Sequence, residues 1–164
     1  MKKTIARIIV AVAALAAAST AHAATVSDNF TAKIVITNDC VINSVTDLDF
    51  GSSGLLNSAV EASATIDLRC TENASYNIGL DAGTTSGGTI TTRKMTDGNG
   101  NTVDYQMFQD SARTVNWGNT VGTDTKSATG TGTDQTHTIY GRVPAQSTPP
   151  AGTYTDTVTV TVTY

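Results

Sequence analysis

The residues able to carry chemistry are few: two cysteines, Cys40 and Cys70, and two histidines, His22 and His137. His22 falls in an N-terminal leader, which leaves His137 as the candidate imidazole. It stands in an alternating run among threonines, where a solvated strand histidine is a better reading than a general base. No serine occupies a nucleophile-elbow pattern. A zinc site takes four ligands, and the two thiols would have only His137 beside them. In an exported chain an even pair of cysteines reads as a disulfide; closing a loop of about 30 residues is worth roughly 3–4 kcal/mol in the chain-entropy model. Asp97-Gly98-Asn99-Gly100-Asn101 hints at a calcium loop, yet the positions that need Gly and Glu hold Thr102 and Phe108, so it reads as a hairpin turn. Two glycosylation sequons, at Asn29 and Asn73, are of a kind that arises by chance. No catalytic residue, metal or cofactor is expected.

The leader is read from its three regions. Lys2, Lys3 and Arg7 make a basic start, residues 8–18 an apolar stretch, and Ala21-His22-Ala23 a small-x-small cleavage site. Residues 1–23 are therefore expected to be a signal peptide, with an apolar run too short for a comfortable membrane span. The mature chain, 24–164, is 141 residues long and suits one domain with a real core. It carries 7 Lys and Arg against 14 Asp and Glu, a formal charge of −7, which gives no electrostatic reason to bind nucleic acid or an anionic membrane.

The elements that must position these residues are strands. The mature chain holds 29 threonines and 14 glycines, so strand formers alternate with turn formers throughout. Strands are expected at 40–45, 64–70, 76–80, 89–95, 103–107, 136–143 and 154–164, with 118–134 a long mobile loop. Such an order of short strands suggests an antiparallel sandwich of immunoglobulin type. Trp117 reads as packed on its own sheet in preference to an exposed contact. In the final run Val158, Val160, Val162 and Tyr164 alternate with threonines and end on the last residue.

A further alternating run precedes the first cysteine. Val26, Phe30, Ala32, Ile34 and Ile36 share the even positions with Asp28, while odd positions are polar except Val35. That is the pattern of a strand with one buried and one wet face. Standing on a free arm, it can be given to another molecule.

Tyr140-Gly141-Arg142-Val143-Pro144, followed by Pro149-Pro150-Ala151-Gly152-Thr153-Tyr154-Thr155-Asp156-Thr157 and the alternating run to Tyr164, resembles the C-terminal signature of spore coat protein U domains. Asp110-Ser111-Ala112-Arg113-Thr114, Trp117-Gly118, Leu48-Asp49-Phe50-Gly51 and the two cysteines fit the same family, which includes the pilins of archaic chaperone–usher pili. The resemblance implies an incomplete immunoglobulin-like antiparallel sandwich completed by a donor strand from another subunit. It implies a signal peptide at 1–23, a donor strand at 24–37 and a pilin domain at 38–164. Val158, Val160, Val162 and Tyr164 would then border the groove and meet the chaperone, with the terminal carboxylate as an anchor. The implied role is a structural, non-enzymatic subunit of an extracellular fimbria, most simply the repeating rod pilin. Its partners would be identical subunits, a periplasmic chaperone, an outer-membrane usher and a tip subunit. The competing reading is a secreted, non-polymerising coat or surface-binding module that folds its own arm back to complete its sandwich.

Overall fold

The computed structural model describes residues 22–164, so the expected signal peptide lies outside the described residues except for its last two. Among the described residues eight strands form two sheets. Five pair in the order β1 (Cys40–Val45), β2 (Val60–Cys70), β7 (Asp134–Val143), β5 (Thr102–Phe108) and β4 (Arg93–Thr96). Three pair in the order β6 (Lys126–Thr129), β3 (Ser75–Leu80) and β8 (Val160–Thr163). Every one of these pairings is antiparallel. The fold is the all-β, immunoglobulin-like sandwich expected from the sequence.

The centre of the larger sheet is the β2–β7 pair, in register from Val60 opposite Val143 to Arg69 opposite Asp134. One face of β2 presents Ala64, Ile66, Leu68 and Cys70, all buried, while Asp67 and Arg69 turn outward. Across from them stand Tyr76, Ile78 and Leu80 of β3, also buried. Period-two alternation thus becomes a core between two sheets. Cys40 is bonded to Cys70, its register partner, which fastens the edge strand β1 to β2.

Trp117 is fully buried and its indole N–H donates to the Ile78 carbonyl at 2.8 Å, so it belongs to the core. The 97–101 segment joins β4 to β5 as a hairpin, with the Asp97 carboxylate accepting from the amides of Asn99 and Asn101 at 2.8 and 3.1 Å.

Three expectations need correction. The 118–134 segment is not one long mobile loop: it contains β6, and Asp124 pins its first turn by accepting from the Thr120 amide at 2.7 Å. Gly130 lies so close to the Thr71 carbonyl that a Cβ would sit 2.2 Å from it, so local hydrogen bonds and close backbone approach replace apolar content here. The final run is not one strand from 154. Thr155 bridges to Thr96 at the β4 edge, and only Val160–Thr163 pair with β3, so the run passes from one sheet to the other. Nor is His137 solvated. Its register partner is buried Ile66, so it points inward, half-buried, and its Nε2 shares a 2.8 Å hydrogen bond with the Tyr76 hydroxyl.

Arg93, fully buried, was not singled out by the sequence. Its guanidinium donates to the carbonyls of Leu80, Asp81, Ile90 and Trp117 at 2.7–3.0 Å, which ties β4 of one sheet to the end of β3 in the other. Burial lowers its pKa, and the Tyr105 hydroxyl with nearby carboxylates, Asp81 among them, acts against that.

Two outcomes follow. Cys40→Ser should cost about 3–4 kcal/mol in urea unfolding, and the wild-type protein should show no free thiol by mass spectrometry; two free thiols would contradict the bond. Burial first, then the Lys126 charge, holds the His137 pKa below its ordinary value. The unfolded chain then binds a proton that the folded chain resists, so stability declines as pH falls through about 6.5 toward the folded pKa. His137→Gln should flatten the fall in urea midpoint between pH 7 and pH 5; an unchanged slope would assign the titration to another group.

Candidate functional site

The site is built from two strand edges. Residues directly opposite in an antiparallel pair point to the same face. On β1, Ile42 pairs with Leu68 and Val45 with Ile66, and both partners are fully buried. Ile42 and Val45 therefore face the interior, yet they remain 39% and 45% exposed. On β8, Val160 pairs with Leu80 and Val162 with Ile78, again fully buried partners, while both valines are only half covered. Among the described residues β1 pairs only with β2, and β8 only with β3. Each sheet thus has an apolar, inward-facing edge without a neighbour.

Between these edges lies a groove of about 940 Å³, with Val45 on one wall, Val158 and Val160 on the other, and Leu80, Tyr105 and Met107 beneath. Leu48 and Phe50 pack over Gly141 of β7, where a Cβ would come within 2.8 Å of Leu48; here the glycine is needed for close approach. The Phe50 ring meets Tyr105 edge-on at 6.2 Å.

Asp156 sets the start of the Val158–Val160 wall, where the chain crosses between sheets. Its carboxylate accepts from the Tyr105 hydroxyl at 2.8 Å and from the Thr84 and Thr85 amides, each at 3.0 Å, with both threonine hydroxyls adding to the set. Burial above all, and then the bond to Asp156, raises the Tyr105 pKa, so the phenol stays a neutral donor. At the far end the Tyr164 hydroxyl donates to the Asp39 carboxylate at 3.0 Å, which brings the end of β8 to the residue before β1. Of the groove-edge residues expected from the sequence, Val158, Val160 and Val162 pack against the core, whereas Tyr164 stays 56% exposed.

Among the described residues the arm belongs to no strand. Val26, Phe30, Ile34 and Ile36 are 98%, 92%, 81% and 71% exposed, and Ala32 is exposed as well. A period-two pattern needs a partner edge to become a strand, and here its apolar face meets water. Among the described residues no cluster of three His, Cys, Asp or Glu is placed to hold a metal ion. What the geometry offers is main-chain pairing at an open edge, with pockets for alternate side chains.

The Spore Coat Protein U domain model matches residues 26–161, from the arm to β8. Protein U of Myxococcus xanthus is 30% identical over 176 aligned positions, covering 99% of this chain and 98% of that protein. Among solved structures the chain is similar to one in the CsuC–CsuE chaperone–tip adhesion subunit pre-assembly complex from the archaic chaperone-usher Csu pili of Acinetobacter baumannii. That similarity has a TM-score of 0.55 and 27% identity, over 79% of this chain and 40% of the other, so the chain spans two fifths of that solved chain. The fold, the paired cysteines and these matches agree: this chain belongs to the Spore Coat Protein U domain family.

Proposed function

We propose that this protein is a structural subunit of an extracellular chaperone–usher fimbria, assembled when the 24–37 arm of one copy fills the groove of the next. The observation that carries the reading is the pair of inward-facing apolar edges, Ile42 and Val45 on β1 and Val160 and Val162 on β8, left uncovered in a chain whose own arm has a matching apolar face. Burying Phe30, Ile34 and Ile36 would contribute roughly 1.5–3 kcal/mol each, before ladder hydrogen bonds. A head-to-tail contact of this kind is heterologous and does not close, so it builds a filament.

An uncovered apolar edge is an aggregation hazard before assembly. A periplasmic chaperone that lends its own strand to the groove meets that need, and the Csu complex, which pairs a chaperone with a tip adhesion subunit, supports such a partner. An outer-membrane usher and a tip subunit complete the proposed pathway, with surface attachment and biofilm formation as its outcome. Possession of a donor arm favours the repeating rod position, since a tip subunit has no predecessor to plug.

Deleting residues 24–36 should leave a subunit that still binds its chaperone but forms no fibres, as judged by electron microscopy of producing cells. Phe30→Asp and Ile34→Asp should act the same way. Fibres in normal number from the deletion would overturn the reading, whereas a stable secreted wild-type monomer with its arm protected from protease would favour the self-completed module. Val160→Lys places a charge in the groove wall and should cost several kcal/mol, with loss of the chaperone complex.

A further inference from the structure

The Asp97-Gly98-Asn99-Gly100-Asn101 turn is a hairpin and not a calcium loop, and it contains the one asparagine of the chain that precedes a glycine. Its two flanks are held. The Asp97 carboxylate accepts from the amides of Asn99 and Asn101 at 2.8 and 3.1 Å and from the Asn101 side-chain amide at 2.8 Å. The Asp97 amide donates to the Asn101 carbonyl at 3.3 Å. The middle is free. Among the described residues the Gly100 amide donates no hydrogen bond, and the Asn99 side chain has a single long contact, 3.4 Å from its Nδ2 to the Asp97 carbonyl. Asn99 and Gly100 are exposed, and a Cβ built on Gly100 would meet nothing within 4 Å. Gly100 sits at a φ of +98°, where glycine carries no steric penalty.

We propose that Asn99–Gly100 is a self-modification site, at which Asn99 is converted to aspartate and isoaspartate with water as co-reactant and ammonia as product. The Gly100 nitrogen gives its proton to hydroxide and attacks Asn99 Cγ. As the Cγ–Nδ2 bond breaks, Nδ2 takes a proton from water and leaves as ammonia, and the new N–Cγ bond closes a five-membered imide. Water then adds to one of the two imide carbonyls, and the Gly100 nitrogen recovers a proton. Opening at Cγ restores the ordinary chain as aspartate, whereas opening at the main-chain carbonyl routes the chain through Cβ and Cγ as isoaspartate. One amide and one water thus become one carboxylic acid and one ammonia. The acid is ionised at neutral pH, so each conversion places a second negative charge beside Asp97. The longer isoaspartate chain also disturbs the Asp97–Asn101 closure. That closure borders the turn that lines the groove, since a Cβ on Gly152 would lie 3.9 Å from Asp97 Cβ.

The other asparagines each lack one of these conditions. The amides that follow Asn38, Asn73, Asn116 and Asn119 are engaged by the Thr71 hydroxyl, the Thr71 carbonyl, the Met107 carbonyl and the Asp124 carboxylate, at 2.7–3.0 Å. Asn43 has its Nδ2 on the Asp134 carboxylate at 2.8 Å. Asn77 and the residue after it lie within β3, and Asn101 precedes β-branched Thr102 at the start of β5. Asn29 precedes the bulky Phe30. Asn57 is the nearest rival, exposed and followed by Ser58, but the serine side chain crowds the attacking nitrogen as glycine does not. Fold and sequence together single out one bond.

Peptide mapping by mass spectrometry reads each asparagine separately, and fragmentation of the main chain distinguishes isoaspartate from aspartate. The mature protein from producing cells is incubated at pH 8, folded and in unfolding urea. In the folded protein Asn99 should convert at least about tenfold faster than Asn57, giving both aspartate and isoaspartate. Asn43 should stay intact while folded and rise to the Asn57 rate in urea, since both precede serine. Asn99 itself should convert as fast folded as unfolded. Asn99→Gln, whose longer side chain closes the ring poorly, should leave the turn unmodified, and Gly100→Ala should slow the reaction at least about tenfold. An Asn99 rate no greater than that of Asn57, or one that rises about tenfold on unfolding, overturns the site. Aspartate without isoaspartate, or an unchanged rate in Gly100→Ala, overturns the ring closure.

Discussion

A sheet edge that points apolar side chains inward needs a neighbour, and this domain has two such edges facing one groove. Ile42 and Val45 share a face with fully buried Leu68 and Ile66 but stay in contact with water. Val160 and Val162 stand in the same relation to Leu80 and Ile78. Unpaired main-chain groups and uncovered apolar area at one place are costly together, because a single added strand satisfies both. The alternating arm, the family membership and the proposed assembly all derive their meaning from that deficit.

The rest of the domain must stay folded while the groove is open, and three long-range interactions help to hold it. The disulfide fastens β1, an edge strand held by β2 alone among the described residues, at its Cys40 end. Arg93 spans the two sheets with hydrogen bonds to four carbonyls, a connection that does not depend on apolar cover. A buried guanidinium is expensive unless its donors are satisfied, and here each nitrogen has a partner. Asp156 does the corresponding work where the chain crosses from the β4 edge toward β8, collecting the Tyr105 hydroxyl and the 84–85 backbone. Replacing apolar cover with long-range polar contacts is a coherent solution for a sandwich that keeps one side of its core accessible.

The strands were legible in the sequence because their parity is clean. The even residues 64–70, the even residues 76–80 and the odd residues 103–107 are all buried as alternation requires. What was hidden depends on contacts far apart in sequence. β6, Lys-Ser-Ala-Thr, carries no apolar alternation, and its place is set by pairing to β3 and by the tight approach at Gly130. The inward turn of His137 follows from its register with Ile66, which no local pattern reveals. Arg93 and Asp156 look like ordinary strand and turn residues until the carbonyls, amides and hydroxyls that surround them are known. The groove itself was legible only through resemblance, since which edges lack a neighbour is a property of the assembled sheets.

Amide hydrogen exchange, compared between the chaperone-free monomer and the assembled fibre, tests the central claim most directly. If the arm of one subunit completes the sandwich of the next, the amides of residues 26–36 and those β8 amides that point away from β3 should exchange freely or slowly together: labile in the monomer, and protected by the same large factor in the fibre, one arm for each groove. An arm that remains labile in fibres whose β8 edge is protected, or a β8 edge already protected in the monomer, would contradict the account.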